Sequence, residues 1–360
     1  MKYSTLTIIL LFLLGFIACE PENVVRQGRN NKDIEPDTAW LINRGRVLDG
    51  GPGKDGIPSI ENPEFVPISE VGNYILEEDL IVGVNINGEI HAYPHPILNW
   101  HEIVNDSFGG ELVTLNYCPL TGSAFCWDRS LKFMPTTFGV SGLLYNNNLI
   151  MYDRDTDSYW SQLYYKGVYG DYRGEKAELI PLIETSWANW KAMYPNAKIL
   201  STNTGFDRKY EEYPYNDYRT QENFFIFSFI PVDDRINLKE RVHAVLIDEE
   251  AKAYRFESFV NRRVIQDEFK GRKHVIYGDP DRNLLFSWQR ELADGTLLEF
   301  EALEGQLPAL MKDQEGNHWD GFGYALSGPR TGERLVPTES VTAYWFSIGS
   351  FYPKAEIYDF

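Results

Sequence analysis

Stretches in which apolar and polar residues alternate recur along the chain and predict β-strands. Residues 80–93 read LIVGVNINGEIHAY, two alternating runs on either side of Asn87-Gly88. This dipeptide tolerates positive φ and is typical of a tight hairpin turn. Residues 111–118 (ELVTLNYC) and 123–128 (SAFCWD) predict two more strands around a short turn that contains Pro and Gly. TTFGVSGLLY and LIMYDR predict a second hairpin.

Two short segments have helical spacing instead. Pro96 suits the first turn of a helix, and apolar residues in the following ILNWHEIVND (97–106) recur at intervals of three and four. TSWANWKAMYP (185–195) predicts a second helix, with Thr185 or Ser186 as its N-cap. The pattern therefore predicts a β-rich α+β fold with short helices packed on antiparallel sheets.

The sequence resembles itself after a shift of 161 residues, which aligns residues 82–129 with 243–290 without a gap. The matching positions include Val84 with Val245, Trp127 with Trp288 and, past small insertions, residues 153–160 with 312–319. These residue types shape turns and cores. We therefore predict two tandem, structurally related units, 37–200 and 241–360, joined by a connecting segment at 201–240. Chance similarity between two β-rich stretches is the alternative.

The reactive side chains are concentrated in the first of these units. The second copy replaces them: His95 by Phe256, His101 by Arg262, Glu102 by Arg263, Asn105 by Gln266, Cys118 by Asp279 and Cys126 by Ser287. A copy that keeps its scaffold and loses its reactive groups predicts a single functional site, located in the first unit.

Residues 1–18 have the organisation of a secretory signal peptide, because Lys2 precedes a short apolar run that ends in a small residue. That run is too short to cross a membrane as a helix. FIA before Cys19 resembles a bacterial lipobox, which implies cleavage there and attachment of fatty acyl chains such as palmitate to Cys19. We expect an exported protein anchored to the cell envelope, at the outer membrane or cell surface, through a flexible tether at 19–36. An ordinary signal with a coincidental cysteine is the alternative.

The net charge of -19 argues against nucleic acid as a partner. The sequence contains no dinucleotide fingerprint, phosphate-binding glycine loop or HExxH motif, so no nucleotide cofactor is indicated. The partners that remain are the membrane, reached through the lipid anchor, and a small-molecule, metal or glycan ligand.

Several motifs carry a resemblance to a known family. They are GGPGKDGIP (50–58), AYP (92–94), LNWHEIVND (98–106), YCPLTGS (117–123), GVSGLLYNNNLIMYDR (139–154), YWSQ (159–162) and YPYNDY (213–218). With them the chain resembles the bacterial family known as domain of unknown function 3179. The resemblance implies an exported or envelope-associated protein, without an established activity. Many members have C-P-L-C at the turn where this chain has Thr121, so a CxxC redox or metal pair is absent here.

Cys118 is the first candidate for chemistry, because it precedes a turn at a strand end, where a side chain can face a cleft. A nearby His101 would give the thiol thiolate character, and Glu102 would serve as a general base. These three residues form the predicted catalytic set. A disulfide with Cys126, favoured by export, and an inert buried thiol are the alternatives.

His95, His101 and Cys118 together would suit copper or zinc, although a hydrogen-bonded structural role for His101 is the plainer alternative. Further pocket candidates are Asn105, Asp106, Asp153, Trp160 and Gln162. DRDTDS, which begins at Asp153, lacks the Gly and Glu that an EF-hand requires.

Two function classes follow from these observations. The favoured one is a thiol- or metal-centred polar site, enzymatic or metal-handling, in the first unit of a lipid-anchored envelope protein. The alternative is a non-catalytic surface binding module, in which Tyr and Trp residues form a platform for a glycan or peptide and the cysteines are structural.

Overall fold

The computed structural model describes residues 38–131, 134–261 and 263–359. The expected signal peptide, Cys19 and the tether lie outside these residues. The strands of the first half are β1 (Val47–Asp49), β2 (Phe65–Pro67), β3 (Leu80–Ile86), β4 (Glu89–Pro94), β5 (Ile103–Phe108), β6 (Glu111–Cys118), β7 (Ser123–Asp128), β8 (Phe138–Tyr145), β9 (Asn148–Asp153), β10 (Tyr159–Ser161), β11 (Lys166–Tyr169), β12 (Leu179–Ile180), β13 (Leu182–Ser186) and β14 (Lys198–Leu200).

The strands of the second half are β15 (Arg241–Ile247), β16 (Glu250–Arg255), β17 (Val264–Phe269), β18 (Arg272–Asp279), β19 (Leu284–Gln289), β20 (Phe300–Ala302), β21 (Ala309–Asp313), β22 (His318–Asp320), β23 (Ala325–Ser327), β24 (Ser340–Tyr344) and β25 (Glu356–Ile357). The α-helices of the described residues are α1 (His95–His101), α2 (Trp187–Met193) and α3 (Trp345–Phe351). The predicted β-rich α+β class is confirmed.

The hairpin predicted at 80–93 is present as β3 and β4, and Asn87 and Gly88 both have positive φ. The first predicted helix is too long. It ends at His101, because Glu102 takes a φ of 57° and turns the chain away, and IVND then begins strand β5. Val104 fits the period of a helix and that of a strand, which explains the error.

Both halves contain the same two-part arrangement. In the first, the β3–β4 hairpin has β13 antiparallel on one side and β14 parallel on the other, and α2 connects β13 to β14. In the second, the β15–β16 hairpin is flanked in the same way by β24 and β25, which α3 connects. The meanders β5–β6–β7 and β17–β18–β19 follow their hairpins. Each half also has a third sheet. Its strand order is β1-β8-β9-β10-β11 in the first half and β20-β21-β22-β23 in the second.

The strand registers agree with the shift of 161 residues. Val84 lies opposite His91 and Val245 opposite Lys252, while Trp127 lies opposite Thr114 and Trp288 opposite Val275. These pairs occupy equivalent positions in equivalent strands. Descent of the two halves from one duplicated unit stays a prediction.

Helix α2 begins where the sequence predicts, because the Ser186 side chain accepts a hydrogen bond from the Asn189 N–H. The helix packs on the sheet through Trp190, whose ring lies over Gly83. A Cβ at position 83 would come within 2.1 Å of this ring, so close packing of helix on sheet requires glycine there.

The two halves share their hydrophobic cores. One cluster joins Trp127 and Trp160 to Val242 and Trp345, and another joins Ile81 to Trp319. The residues that the structure describes accordingly form one compact unit. In the part of the chain that the structure describes, no helix is long and apolar enough to cross a membrane.

Candidate functional site

The end of α1 lies beside the end of β6 and brings Glu102 and Cys118 together. The Glu102 N–H closes the helix on Leu98, and the Glu102 carbonyl accepts a 2.7 Å hydrogen bond from the N–H of Tyr117. Cys118, the next residue along β6, is close enough for the negative charge of Glu102 to raise the pKa of its thiol. The predicted neighbourhood of these two residues is therefore present.

Cys118 is a free, fully buried thiol whose Sγ donates to the Asn147 carbonyl over 3.5 Å. Burial, followed by the charge of Glu102, raises the pKa of Cys118 to about 11. The thiol is thus protonated at neutral pH. The predicted thiolate character is wrong for this state of the protein.

The alternative of a disulfide with Cys126 is wrong as well, since both cysteines are free. In the β6–β7 ladder Cys118 lies opposite Ser123, whereas Cys126 lies opposite Leu115. Three positions therefore separate the two cysteines along the sheet, and an odd separation places their side chains on opposite faces. A disulfide needs much closer Cα atoms and facing Cβ atoms.

His101 does not contact the thiol, and the predicted Cys–His pair is wrong. Its Nδ1 donates to the Pro58 carbonyl at 2.8 Å, and its Nε2 accepts from the Tyr210 hydroxyl at 2.7 Å. Burial lowers the pKa of His101 to about 4. Both ring nitrogens are occupied, so the imidazole has no lone pair left for the proton of Cys118. The structural role that the sequence left open is the one observed.

The surroundings of Glu102 shift the pKa of its carboxyl group towards neutrality. Burial raises its pKa from 4.5 to about 7, and a 2.8 Å hydrogen bond donated by the Tyr215 hydroxyl offsets part of that rise. A carboxyl with a pKa near neutrality can both donate and accept a proton at physiological pH.

Residues 210–218, here called the tyrosine strap, cover this pair. The strap is held by Tyr210 on His101, by Tyr215 on Glu102 and by a hydrogen bond from the Tyr218 hydroxyl to the Leu120 carbonyl. The indole N–H of Trp100 also donates to the backbone of the strap. Only the YPYNDY motif pointed to this segment in the sequence, and its tyrosines were not among the predicted site residues.

His95 belongs to a different cluster. Its Nε2 lies 3.1 Å from Glu184 Oε2, and the other oxygen of Glu184 pairs with Arg241 from the second half. Burial lowers the pKa of His95 to about 3. The predicted metal set of His95, His101 and Cys118 is therefore not assembled. Among the residues that the structure describes, no three His, Cys, Asp or Glu side chains are grouped to hold a metal ion.

Asn105 is a structural clamp. Its side chain donates to the Phe138 carbonyl and accepts from the Phe138 N–H, at 2.8 and 2.9 Å, which ties β5 to β8. In the second half Gln266 accepts from the N–H of Phe300 in the same way. A contact that is present in both halves maintains the fold and identifies no site.

Asp106 has a similar role. It accepts a hydrogen bond from Tyr93 and contacts His91, and Asp267 accepts from Tyr254 and contacts Lys252 at the equivalent places. Each half therefore ties its hairpin sheet to its meander through a carboxylate, a Tyr and a basic side chain.

Asp153 and Trp160 form the third repeated contact. The Trp160 indole N–H donates to Asp153 at 3.0 Å, and that of Trp319 donates to Asp313 at 2.9 Å. Asp153 thus corresponds to Asp313, one residue beyond the Lys312 of the sequence alignment. The predicted place of Asp153 in the site is not supported by this contact.

Gln162 supports the turn that follows Cys118. Its side-chain oxygen accepts from Ser123 and Asn148, and Asn148 also donates to Thr121. All four polar side chains are fully buried. Gln162 therefore positions the β6–β7 turn and does not itself reach Cys118 by a hydrogen bond.

A cavity of about 450 Å³, here called the central cavity, lies between the two halves. Strands β7, β12 and β13 line it from the first half, and β19 and β24 line it from the second. Its apolar wall consists of Cys126, Ile180 and Leu182, and its polar wall of Ser287, Thr338 and Ser340, with His243 beside them. Exposed charged residues, among them Lys176 and Glu178, mark its mouth.

The two walls occupy equivalent positions in the two halves. Ile180 pairs with Cys126 in the β12–β7 ladder, while Thr338 donates to the carbonyl of Ser287. The sequence alignment matched Cys126 with Ser287 but attached no site to them. The cavity was missed because its lining residues come from segments that only the fold brings together.

A family model described as protein of unknown function (DUF3179) matches residues 54–355. No curated protein and no solved structure matches the chain.

Proposed function

The chain belongs to the DUF3179 family, and from the cavity between its halves we propose that it binds a small neutral molecule with an apolar body and one oxygen-bearing end. The observation that carries this proposal is the unequal polarity of the two walls of the central cavity. Pockets for small ligands are mostly apolar, with a few polar groups that fix orientation. The central cavity combines apolar side chains with polar and charged ones, and its hydroxyls at Ser287, Thr338 and Ser340 are hydrogen-bonded neighbours.

The expected ligand is neutral because the polar wall itself carries no net charge. Its groups are hydroxyls together with His243, and burial lowers the pKa of His243 to about 3, so the imidazole is uncharged at neutral pH. Five charged residues also line the cavity. The charge of Glu184 is matched by Arg241, Lys176 lies 3.6 Å from Glu339, and Glu178 and Arg272 are exposed to solvent. A charged ligand would lose its hydration without gaining an opposite charge.

The apolar wall sets the expected dependence on chain length. Each buried CH2 group contributes about 0.8 kcal/mol, so 1-octanol should bind more tightly than 1-hexanol by roughly one order of magnitude. Ile180 and Leu182 are half-buried, which leaves part of each side chain available to a ligand.

Titration calorimetry with 1-hexanol, 1-octanol, octanoate and octylammonium tests this function. We expect saturable binding of the alcohols, tighter for the longer one, and binding of both ions at least tenfold weaker than that of 1-octanol. Leu182→Trp should fill the cavity and abolish binding, whereas Thr331→Val, at an exposed threonine remote from the cavity lining, should bind as the wild type does. If 1-octanol does not bind, or if Leu182→Trp leaves its binding unchanged, the proposal is wrong.

A thiol-centred site at Cys118 is the second candidate function, with Glu102 rather than His101 as its acid–base group. The electrostatic coupling between the thiol and a carboxyl with a pKa of about 7 favours it. Alkylation by iodoacetamide, located by peptide mass spectrometry, tests whether Cys118 can react in the folded chain. If Cys118 stays unmodified from pH 6 to pH 9 while Cys118 in unfolded chain reacts, this candidate is eliminated.

We further propose that the protein is exported and held at the cell envelope by acyl chains on Cys19. The support is the signal-peptide pattern of residues 1–18 and the lipobox-like FIA before Cys19. The protein would then bind its ligand outside the cytoplasm.

A further inference from the structure

Ser287 and His243 form a hydrogen-bonded pair within the polar wall of the central cavity. Ser287, in β19, places its Oγ 2.8 Å from His243 Nε2, and His243 is held by β15. On the other side of the ring, Nδ1 lies 3.1 Å from the Thr342 hydroxyl. A nucleophile within reach of a base, with the base oriented by a third group, is the arrangement that activated serines require.

The direction of the protons is consistent with an activated serine. In the Nδ1–H tautomer, His243 donates to Thr342, and the lone pair of Nε2 is free to accept the hydroxyl proton of Ser287. The Thr338 hydroxyl lies 2.6 Å from Ser287 Oγ. Burial lowers the pKa of His243 to about 3, so the ring is neutral at neutral pH.

This pair is confined to the second half. The shift of 161 residues places Val82 at the position of His243 and Cys126 at that of Ser287. The sequence predicted a single functional site in the first half, and this pair is a candidate site in the second half. The reactive pair was missed in the sequence because His243 and Ser287 are 44 residues apart and meet only across two sheets.

We propose that Ser287 and His243 carry out acyl transfer on an ester with an apolar acyl group. This inference rests on the proposed function, since the same cavity binds the ester. Ile180 and Leu182 line the same cavity as the serine, and their apolar side chains suit the acyl chain. The ester is neutral, as the polar wall requires.

The step balances as an ordinary acyl transfer. Ser287 Oγ forms a bond to the ester carbonyl carbon, its proton moves to His243 Nε2, and the bond from that carbon to the alcohol oxygen breaks. The departing alcohol takes the proton from His243. Water then attacks the acyl-serine, gives its proton to His243 and releases the carboxylic acid, while Ser287 recovers its proton. No oxidant or reductant is needed.

Two reagents test this inference on the full-length protein. An alkyl fluorophosphonate forms a stable adduct on an activated serine, and p-nitrophenyl octanoate releases a coloured alcohol as the acyl-serine forms. We expect one adduct, assigned to Ser287 by peptide mass spectrometry, and none on Ser287→Ala.

His243→Gln should slow adduct formation by about 100-fold or more, the low end of what general-base catalysis contributes. Ser327→Ala removes an exposed hydroxyl outside the cavity lining, and should change the rate by less than about twofold.

The pH profile adds a readout that folding defects do not imitate. Because the imidazole remains neutral down to about pH 3, acylation should be nearly constant between pH 5 and pH 8. A rate that rises through pH 6.5, as for an exposed histidine, would contradict the assignment of His243 as the base.

Titration of each variant with 1-octanol separates the two proposals. Retained binding with no adduct on Ser287 of the wild type overturns the acyl-transfer inference alone. Loss of 1-octanol binding by the wild type overturns the proposed function. Retained binding by His243→Gln together with its slow acylation supports the inference, because the variant is then folded.

Discussion

In the second half, the Arg263 guanidinium lies 3.0 Å from the Asp279 carboxylate. These residues occupy the positions that Glu102 and Cys118 occupy in the first half. In the second half, the space equivalent to that between α1 and β6 therefore contains an ion pair whose charges compensate each other. The other half leaves a carboxyl and a thiol there, neither of them paired with a cation.

This relationship predicts that the ion pair can be moved between the halves. Glu102→Arg and Cys118→Asp should each lower the free energy of unfolding, because each buries a charge without its partner. The double variant should recover about 1–3 kcal/mol relative to the sum of the two single effects. Urea unfolding of the four proteins provides this cycle. Strict additivity would show that the two positions do not face each other.

Glu102 should make stability depend on pH. Its pKa is about 7 in the folded chain and 4.5 as an ordinary Glu, so the folded chain keeps a proton that the unfolded chain has released between these values. This group therefore lowers the free energy of unfolding as pH rises from 4.5 to 7, by about 3 kcal/mol from the size of the pKa difference.

Glu102→Gln should remove that decline, which urea unfolding at a series of pH values measures. Glu211→Gln, at an exposed carboxyl of the tyrosine strap, is the matched control and should follow the wild type. If the stability of Glu102→Gln falls with pH as steeply as that of the wild type, the decline is caused by other groups.

Glu102→Gln should also lower the pKa of Cys118, because it removes the negative charge that helps to raise it. Thiolate absorbance is measured in a Cys126→Ser background, because this substitution removes the other cysteine that the structure describes and leaves the signal of Cys118. We expect the titration to begin at lower pH than in Cys126→Ser alone. An unchanged titration would mean that burial accounts for the whole shift.

The repeated Asp–Trp contacts should be equivalent in energy. Asp153→Ala and Asp313→Ala each leave a buried indole N–H without its acceptor, which costs about 1–3 kcal/mol. Thermal or urea unfolding compares the two directly, and 1-octanol binding should be retained in both. If only Asp153→Ala abolished ligand binding, Asp153 would have a functional role that Asp313 lacks.

Cys19→Ala should release the protein from the membrane fraction or leave it unprocessed. The reason is that each buried acyl CH2 contributes about 0.8 kcal/mol, so two or more chains hold a protein firmly. Partition into Triton X-114 with mass analysis of the N-terminal peptide measures this. A variant that partitions as the wild type does would show that Cys19 is not the anchor.

Local patterns were sufficient to predict the hairpin strands of the first half. Alternation located β6 and β7 to the residue, and of the two predicted N-cap candidates, Thr185 and Ser186, it is Ser186 that caps α2. The first helix was predicted too long because its end depends on the backbone of Glu102, which reverses direction without a Gly or Pro to signal it.

The site was less predictable because its partners are distant in sequence. Glu102 and Cys118 are brought together by adjacent elements, and their neighbourhood could be inferred. His101 takes its partners from Pro58 and Tyr210, 43 and 109 residues away, and no spacing rule indicates either. The central cavity depends on strands from both halves, so only the assembled fold defines it.

The sharing of cores between the halves also determines how the chain can be divided. Two of the hydrophobic clusters combine residues of both halves, so a fragment ending within residues 201–240 would expose apolar surface that its complement normally covers. Two such fragments should therefore assemble noncovalently with each other and melt in one transition. A peptide bond cut in this connecting segment would leave the protein nicked but intact.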